Sequence, residues 1–288
     1  MPYAPEPPVE LPSGCVVHIP GRGELFVRDS GGDGPPLLLL HGWMFSADLN
    51  WFRAYGPLIE AGYRVIALDH RGHGRGLRSP EGFTLRACAD DAAALLGHLE
   101  VGPALVCGYS MGGPIAKLVA RHHPERVAAL VLCATANDWS DPRMKAFWRV
   151  MGGLRLLLGV APNAAWRRGL QAAGFPDSPV TTWIVAELSR GSARDIAEAG
   201  RELGRFDSRE WAASLGLPAA VIVTTKDTGV PPDKQRALAA SLKAPIFEVE
   251  GDHASVTTRA AEFNEQLLRA LASLRSAEPV EPAPPLAS

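Results

Sequence analysis

Short apolar runs alternate with longer amphipathic segments along most of this chain. The central runs 37–40, 104–107 and 127–133 are apolar throughout, as strands are when helices cover both faces of a parallel sheet. A chain with this alternation is expected to form an α/β fold with a doubly wound, mostly parallel sheet. The predicted strands are 16–19, 25–28, 37–40, 64–68, 104–107, 127–133, 219–225 and 246–249, and the predicted core helices are 51–61, 84–99, 113–121, 232–242 and 260–274.

One pentapeptide, Gly-Tyr-Ser-Met-Gly from Gly108 to Gly112, lies between a predicted strand and the helix that follows it. A serine at such a sharp turn is held in a strained backbone geometry, and glycines two residues to either side let neighbouring segments approach without a clashing Cβ. The turn would lift the hydroxyl of Ser110 out of the sheet. Because the pattern also occurs by chance, it predicts a nucleophile only when a base and an acid accompany it.

A candidate acid and a candidate base follow Ser110 in the chain. Asp227 and His253 each come just past the carboxyl end of a predicted strand. Because those ends share one edge of a parallel sheet, the three side chains are able to converge although they are far apart in sequence. A histidine so placed can remove the serine proton, and an aspartate can orient the imidazole.

Other residues compete for these roles. Asp138 also follows a strand, but it lies five residues past Cys133, so Asp227 is the better candidate for the acid. His41 and His73 lie in loops that can reach the same edge of the sheet, and we assign them structural roles or roles beside the site.

The order of serine, aspartate and histidine resembles that of the α/β-hydrolase family, and two further loops add to this resemblance. The resemblance covers the chain from about residue 16 to residue 274. His41-Gly42-Trp43 follows the strand 37–40 and is similar to the family's oxyanion loop. The segment 69–74, Asp-His-Arg-Gly-His-Gly, is similar to a family loop that many members end with a serine. Here Arg75 and Gly76 take that place.

The resemblance implies a serine hydrolase with Ser110 as nucleophile, His253 as base and Asp227 as acid. The backbone N–H groups of Trp43 and Met111 would form the oxyanion hole. Such an enzyme works through an acyl-enzyme intermediate and uses no metal or other cofactor.

The segment 138–206 separates the two groups of predicted strands, so we predict one core domain, 15–137 and 207–275, that carries a helical cap. Helical signals occur at 142–158, 164–173, 180–190 and 193–203. Four of the seven tryptophans lie in this segment, at positions 139, 148, 166 and 183. Each could simply pack the cap onto the core, but together they indicate an apolar roof over the site. The residues expected to line the substrate pocket are His41, Trp139, Trp148 and Trp183.

These features predict hydrolysis of a small-molecule carboxylic ester with an apolar acyl or alkyl group. Lactone opening, carbon–carbon bond hydrolysis and cofactor-free haloperoxidase or perhydrolase chemistry use the same triad and remain alternatives. A weakly catalytic ligand-binding protein on the same scaffold is a further alternative. An aspartate nucleophile is excluded by Ser110.

Composition agrees with one globular enzyme. The chain is 47% hydrophobic and 21% charged, and its formal net charge of −2 gives no reason to expect a nucleic acid or an anionic membrane as a partner. No apolar stretch approaches the roughly 20 residues that a bilayer-spanning helix needs. Four scattered cysteines suit a cytoplasmic protein. Residues 1–14 are expected to be flexible and 276–288 to be a disordered tail, while the oligomeric state stays open.

Overall fold

A computed structural model of the protein describes residues 5–139 and 151–275. In these ranges one eight-stranded sheet forms the centre, with the order β1-β2-β4-β3-β5-β6-β7-β8. Strands β1 and β2 pair antiparallel, as do β2 and β4, and every other neighbouring pair is parallel. The strands are β1 Gly14–Ile19, β2 Gly23–Asp29, β3 Pro36–Leu40, β4 Arg64–Leu68, β5 Ala104–Tyr109, β6 Val127–Cys133, β7 Ala219–Thr224 and β8 Ile246–Val249. The predicted α/β fold with a mostly parallel sheet is confirmed.

Helices connect the strands and cover both faces of the sheet. In the described ranges they are α1 Ala47–Trp51, α2 Tyr55–Glu60, α3 Leu85–His98, α4 Gly112–His122, α5 Met151–Val160, α6 Pro162–Ala172, α7 Pro179–Leu188, α8 Ala193–Arg205, α9 Pro232–Leu242, α10 Ser255–Thr258 and α11 Ala260–Arg275. Two short 3₁₀ turns, Pro124–Arg126 and Ala212–Leu215, precede β6 and β7. No helix in the described ranges is both long enough and apolar enough to cross a membrane.

Alternate residues of one strand enter different hydrophobic cores. Leu38 and Leu40 of β3 pack into the core on one face of the sheet, whereas Leu37 and Leu39 pack into the core on the other. Successive side chains of a strand point to opposite faces, so a strand buried on both sides must be apolar at every position. This requirement accounts for the continuous apolar runs of the sequence.

The single helix predicted over residues 51–61 is wrong, because the chain forms the two short helices α1 and α2 there. Pro57 has no N–H to donate, and its ring would clash with the carbonyl of Arg53 in a continuous helix. That carbonyl instead accepts a hydrogen bond of 2.8 Å from the side-chain amide of Asn264 in α11. The proline therefore separates the helices, and the freed carbonyl ties them to the last helix.

Helices α5 to α8 lie between β6 and β7, where helical signals were predicted. The amino-terminal part of the predicted helix 142–158 lies outside the described residues, as do residues 1–4 and the whole of the predicted tail, 276–288. Asp138 and Asp207 form an isolated antiparallel bridge, which brings together the two ends of the segment that we call the insertion, residues 138–206. The insertion thus leaves and re-enters the core at neighbouring points.

Candidate active site

Ser110 lies at the turn between β5 and α4 and has a positive φ of 51°. A non-glycine residue in this region is strained, so surrounding contacts must hold it. The N–H of Ser110 donates to the carbonyl of Cys133 at 2.9 Å, and its own carbonyl accepts from the Thr135 hydroxyl at 2.8 Å. Both partners belong to β6 or follow it directly, so the neighbouring strand holds the turn in place.

The two glycines of the pentapeptide allow the close packing that was predicted for them. A Cβ on Gly108 would collide with the backbone carbonyl of Gly112, and a Cβ on Gly112 would collide with the carbonyl of Leu40 in β3. Backbone atoms cannot move aside as a flexible side chain can. Glycine is therefore required at both positions for the helix to start this close to the sheet.

The structure brings Ser110, His253 and Asp227 into one hydrogen-bonded chain. The Nε2 of His253 lies 2.9 Å from the Oγ of Ser110, and its Nδ1 lies 2.7 Å from the Oδ2 of Asp227. Ser110 is 9% exposed and the Asp227 side chain is fully buried, whereas the imidazole is 38% exposed. The carboxylate is thus closed to solvent, and the imidazole is the most accessible of the three groups.

Four donors besides the imidazole surround the Asp227 carboxylate. Its Oδ1 accepts from the backbone N–H groups of Gly229 and Val230, each at 2.8 Å. Its Oδ2 accepts from the Thr224 hydroxyl at 2.8 Å and from the Gln235 amide at 3.3 Å. These donors satisfy both oxygens of a carboxylate that solvent does not reach.

Sequence reasoning missed Thr224 and Gln235. Gln235 lies in the first turn of α9 and is completely buried; its amide also donates to the Val230 carbonyl at 2.7 Å. A polar residue inside an otherwise ordinary helix start is a weak signal, although the threonine three residues before Asp227 could have been noticed.

Tyr109, the residue before the serine, supports the histidine. Its hydroxyl donates to the backbone carbonyl of His253 at 2.8 Å. Burial raises the pKa of the Tyr109 phenol well above its usual value, so the hydroxyl stays protonated and remains a donor. The turn between β5 and α4 thus holds the loop that carries His253 as well as the serine.

Asp138, the alternative acid, lies elsewhere. Its Oδ1 is 3.2 Å from the ammonium group of Lys234 in α9, at the base of the insertion. The described carboxylate that contacts His253 is that of Asp227.

His41 is completely buried within a cluster of three histidines. Its ring centroid lies 4.2 Å from that of His70 and 5.6 Å from that of His73. Its Nε2 accepts from the backbone N–H of His70 at 2.9 Å, so its Nδ1 carries the proton and donates to the Gly42 carbonyl at 2.8 Å. Both ring nitrogens therefore bind protein groups and hold the loop that begins at Gly42.

Burial keeps this cluster neutral. Loss of solvation lowers the pKa of His41 well below its usual value, that of His70 to about 3 and that of His73 to about 4. Three imidazolium ions could not coexist at these distances, so the cluster acts as neutral packing around the loop.

The segments that carry the two predicted oxyanion donors lie on either side of Ser110. Met111 follows the serine directly and precedes the first residue of α4. A Cβ built on Gly42 would lie 3.4 Å from the Cβ of Ser110, which places the loop of Trp43 against the serine. The Trp43 indole N–H donates to the carbonyl of Ile196 in α8 at 2.8 Å, so this loop is also attached to the insertion.

The tryptophans expected at the pocket have packing contacts in the described ranges. Trp139 lies 6.3 Å from the ring of Phe206, and Trp183 lies 5.3 Å from the ring of Phe52 in an edge-on contact. Both indoles are buried, and the second holds α7 against α1. Trp148 lies outside the described residues.

Arg75, which stands where many relatives have serine, connects the core to the insertion. Its guanidinium lies 2.6 Å from the buried carboxylate of Glu187 in α7 and 3.2 Å from that of Asp48 in α1. Its backbone N–H donates to Asp69 at 2.7 Å. Burial raises the pKa of the Asp69 carboxyl to about 6, and hydrogen bonds from the N–H groups of Arg75 and Ala47 oppose that shift. The arginine thus gives this position a contact that a serine is too short to make.

Across the described residues, no group of three or more histidine, cysteine, aspartate or glutamate side chains is arranged to hold a metal ion. The described groups around Ser110 are the imidazole of His253 and, behind it, the carboxylate of Asp227.

Residues 35–259 match the family model described as alpha/beta hydrolase fold. The non-heme haloperoxidase of Rhodococcus erythropolis is 43% identical over 110 residues, which are 38% of this chain and 39% of that protein. The AB hydrolase superfamily protein YisY of Bacillus subtilis (strain 168) is 29% identical over 76% of this chain and 84% of its own length. A thermophilic esterase from Thermogutta terrifontis superposes with a TM-score of 0.76 at 25% identity, covering 92% of this chain and 100% of that one. The chain therefore belongs to the α/β hydrolase family.

Proposed function

We propose that the protein is a serine hydrolase that cleaves carboxylic esters with an apolar acyl or alkyl group. The observation that carries this proposal is the continuous hydrogen-bonded chain from Ser110 through His253 to Asp227. A serine hydroxyl is a poor nucleophile at neutral pH, and this arrangement supplies the base that activates it.

In the first half of the reaction, Ser110 Oγ attacks the ester carbonyl while Nε2 of His253 takes the hydroxyl proton. Negative charge moves to the carbonyl oxygen, where the backbone N–H groups of Trp43 and Met111 would stabilise it. Loss of one such donor typically costs about 3 kcal/mol in the barrier. The tetrahedral intermediate then collapses, and His253 gives its proton to the leaving alcohol.

In the second half, His253 takes a proton from water, and the resulting nucleophile attacks the acyl-enzyme. The carboxylic acid product leaves as Ser110 regains its proton. Asp227 holds the imidazole with Nδ1–H toward the carboxylate, which aims Nε2 at the serine and stabilises the imidazolium ion during both halves.

Apolar surroundings support the choice of substrate. Trp43, whose loop lies against Ser110, packs on the hydrophobic core, and its indole N–H donates to the carbonyl of Ile196 in α8 of the insertion at 2.8 Å. The insertion, as a cap, would then cover the serine with apolar side chains. The likeness to the Thermogutta terrifontis esterase is consistent with this substrate class.

Perhydrolysis is the second candidate, because the relative from Rhodococcus erythropolis is a non-heme haloperoxidase. In that reaction hydrogen peroxide replaces water in the attack on the acyl-enzyme, and a peroxyacid replaces the carboxylic acid product. The same three side chains would serve both reactions.

A panel of p-nitrophenyl esters, simple lactones and β-diketones, compared by kcat/KM, tests the proposal. We expect the esters of short to medium acyl chains to give the highest values, and added peroxide to give peroxyacid more slowly than water gives acid. Higher kcat/KM for lactones or diketones would replace the ester assignment. Tight binding of these compounds without turnover would indicate a ligand-binding protein instead.

A further inference from the structure

A cavity of about 800 Å³ lies between the core and the insertion, away from the serine. Its core side comes from α1 and the residues next to it, and from residues 254–262 in and around α10 and α11. Its other side comes from α6, α7 and the segment between them. The apolar side chains along its wall include Phe45, Leu49, Phe52, Leu170, Ile184 and Leu188.

This cavity is distinct from the candidate catalytic centre. Its described lining includes none of Ser110, Asp227, His253, Trp43 and Met111. It approaches the centre at Ala254, which follows the histidine in the chain, and at Phe45, two residues after Trp43. A molecule in the cavity would therefore lie beside the reacting groups without touching them.

Two cationic side chains line the same cavity. The Arg53 guanidinium lies 5.3 Å from the centroid of the Phe52 ring, and Arg259 lies between α10 and α11. Within the described ranges neither arginine forms an ion pair with a carboxylate. The third charged residue of the lining, Glu262, accepts a hydrogen bond from the backbone N–H of Glu250 at 2.7 Å. Glu250 lies near Arg259 but pairs with Lys226 at 2.6 Å. Within the lining, two arginines against one glutamate therefore leave a net positive charge beside an apolar wall.

We propose that this cavity is a second binding site, for a single-chain amphiphile with a carboxylate head, such as a medium-chain fatty acid. The alkyl chain would lie along the phenylalanine and leucine side chains, and the carboxylate would lie at Arg53 and Arg259. Carboxylates pair with guanidinium groups through two parallel hydrogen bonds, which makes arginine well suited to this head group.

The volume and the partial exposure of the wall agree with such a ligand. Cavities of roughly 300–1,000 Å³ are typical of small-molecule sites. Phe175 and Val180 line the cavity and are each 40% exposed, so a bound chain would cover apolar surface that now contacts solvent. The ligand would contact the core and the insertion at once, and by mass action it would stabilise the folded arrangement of both.

Isothermal titration calorimetry with sodium decanoate, kept below its micellar concentration, tests this site. We expect one decanoate per chain and a rise in melting temperature with decanoate concentration. Octanoate, shorter by two methylene groups, should bind roughly tenfold more weakly. Decyltrimethylammonium, with the same chain length and the opposite charge, should also bind more weakly than decanoate.

Substitutions in the lining test whether decanoate binds in this cavity. The double substitution Arg53→Glu with Arg259→Glu should weaken decanoate binding roughly tenfold, and Phe175→Ser should also weaken it. Arg205→Glu, at the exposed end of α8 and outside the cavity lining, should leave it unchanged. The arginine variants should retain kcat/KM for p-nitrophenyl acetate.

The proposal is overturned if decanoate does not bind, or if the double variant binds it as tightly as the wild type. It is also overturned if covalent modification of Ser110 by phenylmethanesulfonyl fluoride abolishes decanoate binding, because the fatty acid would then occupy the catalytic centre. Decanoate resembles the acid that the proposed ester hydrolysis would release, so binding to the protein modified at Ser110 is the result that does not depend on the proposed function.

Discussion

The imidazole of His253 lies 2.9 Å from the hydroxyl oxygen of Ser110, although 143 positions separate the two residues in the chain. The sheet produces this contact. Ser110 follows β5, Asp227 follows β7 and His253 follows β8, and all three strands are parallel and end at the same edge. The site is thus a consequence of strand order, as expected for a parallel sheet with helices on both faces.

Asp227→Asn should lower kcat/KM for p-nitrophenyl acetate by several orders of magnitude. An asparagine at this position would favour the wrong imidazole tautomer, which in a comparable triad costs about 10⁴ in kcat. Asp138→Asn is the matched control, since that carboxylate contacts Lys234, and we expect it to retain activity within a few fold. Equal losses in the two variants would remove Asp227 from its assigned role.

Thr224→Val should lower kcat about tenfold and leave KM nearly unchanged. The substitution keeps the shape of the side chain but removes the hydroxyl that donates to Asp227 at 2.8 Å, and a hydrogen bond to a charged group is worth about 1.5–3 kcal/mol. Thr224→Ser keeps the donor and should restore kcat. If the serine variant is as slow as the valine variant, packing rather than the hydrogen bond explains the loss.

Glu187→Gln should weaken the attachment of the insertion to the core. The change removes a buried charge that lies 2.6 Å from Arg75 and 2.8 Å from Arg190. We expect a loss of about 2 kcal/mol in the free energy of unfolding, measured with urea, and faster proteolysis within the insertion. Glu125→Gln is the control, because its contact with Arg126 is exposed and 3.8 Å long, and it should change stability by less than about 0.5 kcal/mol.

The histidine cluster should make the protein sensitive to acid. The pKa values of His70 and His73 are about 3 and about 4 in the folded protein, below the usual 6.5. The unfolded chain therefore binds protons first as the pH falls, so the stability from these groups is full above pH 6.5 and is lost progressively below it.

His73→Leu tests this direction. Between pH 7 and pH 5 the free energy of unfolding of the wild type should fall by about 2 kcal/mol more than that of the variant. Asp69 acts in the opposite sense, because its pKa of about 6 lies above the usual value, so its proton binding stabilises the folded protein as the pH falls. A stability difference between variant and wild type that does not change with pH would contradict the account of the cluster.

Several features were predictable from the sequence because they depend on local patterns. Apolar runs located the strands, and the positions of Ser110, Asp227 and His253 just past strand ends indicated which side chains the fold brings together. Pro57 is also visible in the sequence, and its missing N–H and its ring rule out one continuous helix over residues 51–61.

Contacts between distant segments were not predictable. Arg75 and Glu187 are separated by 112 positions, and no local pattern shows that they pair. Gln235 resembles any polar residue at a helix start until the fold places it against Thr224 and Asp227. Trp183 was expected at the pocket because it belongs to an aromatic group, but only the structure shows that it packs on Phe52. Such contacts depend on how the layers pack, which periodicity alone does not encode.

Site-specific labelling of the nucleophile tests the central claim most directly. After reaction with a fluorophosphonate, mass spectrometry of the digested protein should find one adduct per chain, on Ser110. Ser110→Ala should take up no label and should lose p-nitrophenyl ester hydrolysis while its circular dichroism spectrum stays that of the wild type. A label on another residue, or a folded Ser110→Ala protein with near wild-type activity, would contradict the assignment of Ser110 as nucleophile.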